Sequence, residues 1–488
     1  MGSTYSFKRD IFDETKAALE NSSVCFLLGP RKCGKTVCMK QLNEEFDNAI
    51  YFNVKADYNN EAEKRSLVRQ IESNIKENKS VVYLIDEVTY LANPDKDIVR
   101  IAEAFNETDN KNTKIVFAGS QSKALESWGH IAFASNASYI TGDFLNYSEW
   151  LRYKDTNEVS EDTYLDFISH TKDFYGEFVS TKDYLSGCLD ETVISNNRSV
   201  EYVVGNDVGE LDTEMLLDVL YASLITLHNH TSYKTFADRN FLAKSIARNF
   251  AVEKMGITDE YLSERVAGFL EDRYSHFSNM NVNDCKTALR FLSNCGLITL
   301  TYVSDGTDVD PYITSKLLKE TNELYQKPGI FSRFNVTINY PMFFVDIVKS
   351  ILKDKMPNNL PRSLLGSIVE CHVRSLLPKT GCYEYRDEKG AEIDYVSTSG
   401  KALECSVSNK SNSETHFNAI PNLKQRVLLT KNQKGYSFDN QIIRIPYYEF
   451  IYGYSDGIDP TILCQTEPTD TKPGDDTYDK DDDVDTNI

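Results

Sequence analysis

GPRKCGKT occupies residues 29–36, between the apolar run VCFLL (24–28) and the segment VCMKQL (37–42). Glycine, four residues, glycine, lysine and threonine, set between a strand-like run and a helix-like one, is the pattern of a loop that cradles phosphate. The residue types follow from the chemistry. Glycines let backbone N–H groups close around phosphate oxygens, a lysine reaches the outer phosphates, and a threonine hydroxyl at a helix start can ligate Mg²⁺. The stretch predicts a nucleotide site built from Gly29, Pro30, Arg31, Lys32, Cys33, Gly34, Lys35 and Thr36. Within it, Cys33 reads either as a small loop filler or as a thiol whose oxidation would switch binding off.

Working outward, residues 11–20 (IFDETKAALE) have helical spacing, and AIYFNVK (49–55) reads as a second strand. In the next segment Leu67, Ile71 and Ile75 recur one turn apart, which predicts an amphipathic crossover helix. It leads to VVYLIDEV (81–88), an apolar run that closes on Asp86 and Glu87. Buried strands of parallel sheets look like this, and acids at their carboxyl ends face the crevice where ligands bind. Asp86 then suits Mg²⁺, and Glu87 suits orienting or deprotonating an attacking water. A further strand, KIVFAG (114–119), ends at Ser120, a polar group placed to feel a γ-phosphate or, equally, to cap a helix. Another strand falls at 139–141. Strands alternating with helices over residues 20–150 predict an α/β, doubly wound parallel sheet of the P-loop NTPase class.

With 488 residues the chain has room for two to four domains. Residues 1–152 read as the nucleotide domain and 153–232 as a helical, lid-like region rich in Tyr and Phe. Residues 233–330 contain VNDCKTALRFLSNCGLITLTYV, a helix, turn and strand that suggest a winged-helix module. Residues 331–460 form a last α/β module, in which Glu370, Asp394 and Glu404 could cluster around Mg²⁺ as in a metal-dependent nuclease. The lysine that usually helps to activate water in such a site is missing. Residues 461–488 are too rich in carboxylates, Pro and Gly to bury a core, so they read as a disordered acidic tail.

The net charge of −21 opposes indiscriminate binding to nucleic acid, and the suggested winged helix offers few phosphate partners, chiefly Lys286 and Arg290. No run of eighteen apolar residues occurs and the N-terminus lacks an apolar signal segment, so a cytoplasmic location is expected, with no membrane contact. Ten scattered cysteines, with no paired spacing, fit a reduced compartment without zinc.

Taken together, the motifs resemble those of bacterial and archaeal AAA-type ATPases whose C-terminal domain resembles the PD-(D/E)xK nuclease fold. The resemblance runs to about residue 455 through FLLGPRKCGKT, VVYLIDEV, Gly119-Ser120, FLNYSEWL (144–151) and DYLSGCLDETV (183–193). It continues through FFVDIVKSIL, GSIVE, EIDYV and LECSV to IIRIPYYEFI (442–451). It implies Lys35 and Thr36 for ATP and Mg²⁺, Asp86 and Glu87 for metal and water, and Ser120 as a sensor-like residue. Two departures stand out. No Gly-Arg precedes FLNYSEWL, although Arg152 lies nearby, and Ser406 stands where the nuclease pattern needs lysine, with Lys401 and Lys410 as the cations close in sequence.

The combined expectation is an ATP-binding, Mg²⁺-dependent switch, joined to a nuclease-like end that has lost catalysis and acts on a protein partner or by self-association. An ATP-regulated DNA-processing nuclease and a scaffold that binds ATP without hydrolysing it are the alternatives.

Overall fold

All five residues of VCFLL and all six of VVYLID are buried, as their unbroken apolar runs require. In the computed structural model, residues 6–108, 110–119, 121–174, 180–194, 211–226, 282–304, 334–351, 362–378, 381–387, 391–407, 411–437, 441–459 and 461 are described. Ser120, Lys410, the acidic tail from 466 and most of 233–333 lie outside them, and so do the expectations drawn there.

The first third of the chain runs α1 (Asp10–Asn21), β1 (Val24–Leu28), α2 (Lys35–Glu45), β2 (Ala49–Asn53), α3 (Val54–Asp57), α4 (Glu61–Lys76) and β3 (Val81–Asp86). It continues with α5 (Pro94–Asn106), β4 (Thr113–Ala118), α6 (Ser122–Phe133) and β5 (Ser138–Thr141). The strands form a five-stranded sheet in the order β2-β3-β4-β1-β5, with every pair parallel. Period-two alternation sends Val24, Phe26 and Leu28 into one core layer and Cys25 and Leu27 into another on the opposite face. Helices cover both faces. On α4 the predicted stripe of Leu67, Ile71 and Ile75 is buried, and Asn60 starts the helix by accepting the Glu63 N–H at 3.0 Å. Because each large apolar side chain removed from water contributes about 1.5–3 kcal/mol, these two layers are what hold the strand ends in place.

Downstream come α7 (Tyr147–Tyr153), α8 (Glu161–Phe174), α9 (Thr181–Ile194), α10 (Thr213–Thr226), α11 (Val282–Asn294), β6 (Ile298–Ser304), β7 (Phe334–Ile338), α12 (Pro341–Ile351) and α13 (Arg362–Leu376). The last stretch is β8 (Cys382–Arg386), β9 (Glu392–Ser397), β10 (Lys401–Cys405), β11 (Gln425–Thr430), β12 (Gly435–Ser437), β13 (Ile442–Pro446) and α14 (Tyr447–Ser455). Strands β6 to β13 make one mixed, eight-stranded sheet in the order β12-β13-β11-β10-β9-β8-β6-β7.

The winged-helix expectation is covered only in part, because most of 233–333 lies outside the described residues. Strand β6 does follow a helix and the Gly296 turn, but it pairs antiparallel with β7 and parallel with β8. It is an interior strand of the C-terminal sheet, so the division drawn at residue 330 falls between two paired strands. Which partner a strand takes is a non-local choice that helix, turn and strand signals do not encode. One apolar core reaches from Phe144 and Trp150, through α8 to α13, to Phe450 and Ile451. The helical region and the C-terminal sheet are therefore packed as one body. No helix among the described residues is long and apolar enough to cross a membrane.

Candidate phosphate-loop site

Strand β1 delivers the chain to the loop, and the glycines make the loop's path passable. Gly29 sits at φ +132°, where a Cβ would fall 2.2 Å from the Gly142 carbonyl oxygen, and Gly34 sits at φ +101°. Only glycine adopts such angles without strain, and the close approach to Gly142 admits no side chain. Lys35 opens α2 and is buried. Its Nζ donates to the Gly29 and Pro30 carbonyls at 2.8 Å each. The ammonium is thus folded over the loop's own oxygens, which a phosphate oxygen could replace as partners.

Thr36 and Asp86, fifty positions apart, meet directly: the Thr36 hydroxyl donates to Asp86 Oδ2 at 2.7 Å. The Asp86 carboxylate also accepts from the Tyr51 hydroxyl at 3.0 Å and, on Oδ1, from the Glu87 N–H at 3.0 Å. A hydroxyl and a carboxylate side by side form the oxygen donor set that Mg²⁺ takes with waters and phosphates. Glu87 follows in the left-handed region at φ +53°, a costly angle for a residue with a side chain. Its carbonyl accepts the Tyr90 N–H at 3.0 Å, which helps to hold the turn. Sequence reading found Asp86 and Glu87 but missed Tyr51, because an aromatic on an edge strand carries no signal of what its hydroxyl will reach.

Residues 21–151 match an AAA domain family. The matched stretch spans the five-stranded parallel sheet with its phosphate loop, so this part of the chain is similar to AAA-type P-loop ATPases. Among solved structures the chain is similar to the Walker-type ATPase PABY2304 of Pyrococcus abyssi, at 13% identity and a TM-score of 0.33, over 71% of this chain and 96% of that one. No curated protein matches.

Three further side chains shape the AAA domain's loop. Ser122 Oγ accepts the Gly29 N–H at 2.7 Å and lies 2.6 Å from the Gly29 carbonyl. Ser122, at the first position of α6, thus touches the loop from beyond the end of β4. Arg31 reaches outward to α9, where a Cβ on Gly187 would fall 1.9 Å from its Nη1; the glycine of DYLSGCLDETV leaves room for it. Arg9, ahead of α1, donates from Nη1 to the Cys33 carbonyl at 2.6 Å and to the Asp143 carbonyl at 2.9 Å. The same guanidinium forms a buried ion pair with Glu149 at 2.6 Å.

FLNYSEWL proves to be the frame for that pair. Asn146 and Glu149 make a capping box at the start of α7, and Tyr147 and Trp150 fill the core. Ser148 donates to Asp456 at 3.0 Å, and Asn146 Nδ2 donates to the Ser455 carbonyl at 3.5 Å, both at the end of α14. Arg152 is engaged with Asp10. The Cys33 thiol is buried against the loop, 3.8 Å from Lys35 Nζ.

In the C-terminal sheet, Glu370 on α13, Asp394 on β9 and Glu404 on β10 do feel one another. Burial, reinforced by Asp394, Glu392 and Glu384, holds the Glu370 carboxyl well above its usual range. Burial likewise raises Glu404, with Asp394, Glu392 and Glu370 adding to it. Asp394 is pushed up to about 7 and Glu384 to about 6, again chiefly by burial.

Yet among the described residues no group of three or more His, Cys, Asp and Glu side chains is placed to hold a metal ion. Asp394 instead accepts the Cys405 N–H at 2.7 Å, and Glu404 Oε1 lies 3.5 Å from His416 Nδ1. The cation beside these acids is Arg386, paired with Glu392, and a guanidinium does not give up its proton to act as a base. Lys401 points elsewhere, with Nζ 3.2 Å from the Tyr454 hydroxyl and 3.5 Å from Asp459. Alternation along β10 puts it on the face opposite Glu404.

Proposed function

We propose that the chain is a Mg²⁺-dependent, ATP-binding molecular switch that hydrolyses ATP slowly and passes the state of the phosphate loop to its C-terminal sheet. The observation that carries this reading is the 2.7 Å contact between Thr36 and Asp86, beside a buried Lys35 whose amine rests on loop carbonyls. Thr36 and Asp86 would hold Mg²⁺, which when bound supplies charge neutralisation at the phosphates. Lys35 exchanges its contacts with Gly29 and Pro30 for phosphate oxygens. Glu87 orients the attacking water and accepts its proton, while Tyr51 and the Glu87 N–H keep the Asp86 carboxylate from rotating. Ser120, which follows β4 in sequence and lies outside the described residues, is assigned the sensing of the outer phosphate in this reading.

Transmission to the rest of the chain is supported by the two arginines that leave the loop. Arg31 lies against α9, and Arg9 reaches Glu149, whose helix is bonded to the end of α14. A switch needs two arrangements that ATP and ADP favour unequally, and these contacts are the ones that would differ. The C-terminal sheet serves in this reading as a binding or assembly domain for a protein partner or a second copy. Ser406, the distant Lys401 and the fixed charge of Arg386 together argue against nuclease chemistry.

ATP binding and turnover by the full chain test the proposal, with wild type compared with Lys35→Ala and Glu87→Gln. Loss of binding in Lys35→Ala and of turnover in Glu87→Gln is expected. Wild-type chain that binds no ATP would refute the reading, and binding without turnover would select the non-hydrolysing scaffold.

A further inference from the structure

The Arg9 guanidinium is buried and satisfies three separate elements at once. Nη1 serves the Cys33 carbonyl in the phosphate loop and the Asp143 carbonyl just past β5. Nε and Nη2 serve Glu149 on α7, with Nε lying 3.1 Å from both carboxylate oxygens. Glu149 in turn accepts the Asp10 N–H at 3.0 Å and the Asn146 N–H at 3.1 Å, so the acid is fixed before the arginine meets it. Five donors on a rigid plane suit this task; a lysine offers three donors on a flexible stem and cannot span all the partners.

We infer that Arg9, held by Glu149, is a positioning residue that orients the Gly34 N–H of the phosphate loop. The inference rests on the ATP-site reading above. A trans peptide is planar, so the carbonyl of Cys33 and the N–H of Gly34 point in opposite directions. Pinning that carbonyl on Arg9 turns the Gly34 N–H away from the guanidinium and frees it for a phosphate oxygen. The second bond of Nη1, to Asp143, references the loop to the end of β5. That strand end is itself fixed, because the Gly142 N–H donates to the Leu28 carbonyl at 2.9 Å. Glu149 offsets the arginine's charge, so the contribution of Arg9 is one of direction and not of net charge.

The test uses the full chain with Arg9→Lys and Glu149→Gln, and it has two readouts. ATP dissociation constants, measured well below the melting temperature, are expected to rise about tenfold in Arg9→Lys and less in Glu149→Gln, the scale of one well-directed hydrogen bond. Hydrogen exchange of the loop peptide in the nucleotide-free chain is expected to accelerate in both variants. A purely structural ion pair would lower the melting temperature and leave both readouts unmoved. Arg9→Lys that binds ATP within twofold of wild type, with unchanged loop exchange, overturns the inference. If the wild type itself fails to bind ATP, the proposed function falls, and loop exchange alone still decides whether Arg9 orders the loop. Should Arg9→Lys not fold, Glu149→Gln carries the same two readouts.

Discussion

Glu149→Ala should be among the most damaging single substitutions in this part of the chain, although residue 149 lies outside the phosphate loop. Glu149 is 1% exposed and accepts from Arg9, the Asp10 N–H and the Asn146 N–H. Truncation strands a guanidinium that is itself only 9% exposed, along with two backbone donors. Breaking a buried pair from one side costs about 3–5 kcal/mol, because the surviving charge keeps its desolvation penalty without its partner. For a domain of this size, with 2–4 °C per kcal/mol, the melting temperature should drop by roughly 6–20 °C. The chain's two tryptophans, Trp128 and Trp150, are both buried in this part of the molecule. Trp128 sits in the core of the five-stranded sheet and Trp150 in the core shared with the helical region, so their fluorescence during thermal unfolding reports both. Arg9→Ala and the double variant complete a cycle, in which the double should cost clearly less than the sum of the singles. A Glu149→Ala chain within 1 kcal/mol of wild type by the scale above, or singles that simply add, would refute the buried-pair reasoning.

Other expectations follow from the same geometry. Gly29→Ala places a Cβ 2.2 Å from a backbone oxygen at φ +132°, so nucleotide binding should vanish in equilibrium dialysis; retained affinity would mean the loop relaxes freely. Tyr51→Phe removes one of three donors to Asp86, and about 1 kcal/mol of stability should go with it, measurable by urea unfolding. Mg²⁺-dependent turnover should fall further than that loss of stability alone explains, and equal turnover would show that Asp86 does not need the hydroxyl.

The pH dependence of stability has two opposed parts. Burial lowers His372 from 6.5 to about 3, so across that window the unfolded chain binds a proton that the folded chain refuses. Its stabilisation is complete above pH 6.5 and is lost as pH falls toward 3. Asp394 is raised from 3.8 to about 7, so the folded chain binds the extra proton and stability falls as pH rises through that range. His372→Gln should flatten the acid limb of the melting temperature against pH, and Asp394→Asn should raise stability at pH 8. Unchanged profiles in both would contradict the burial of these groups.

The sequence by itself determined the elements whose signals are local. The glycine spacing of 29–36, the buried runs at 24–28 and 81–86, the stripe on α4 and the acids closing β3 were all legible, because backbone angles and apolar periodicity are written over a few neighbouring residues. The same local signals yielded a helix, a turn and the strand β6, but they could not say that β6 would pair with β7 and β8. Convergence of side chains was equally hidden. Arg9 and Glu149 are 140 positions apart, Ser122 reaches Gly29 across 93, and Tyr51 finds Asp86 only because β2 lies beside β3. Glu370, Asp394 and Glu404 matched a metal-site pattern in order and type, yet the folded chain gave their neighbourhood an arginine and directed Lys401 to Tyr454. Strand order and packing decide which side chains meet and at what distance, and hydrogen bonding and metal ligation depend on that distance steeply. Tertiary structure alone therefore decided what surrounds the phosphate loop and what the acidic cluster lacks.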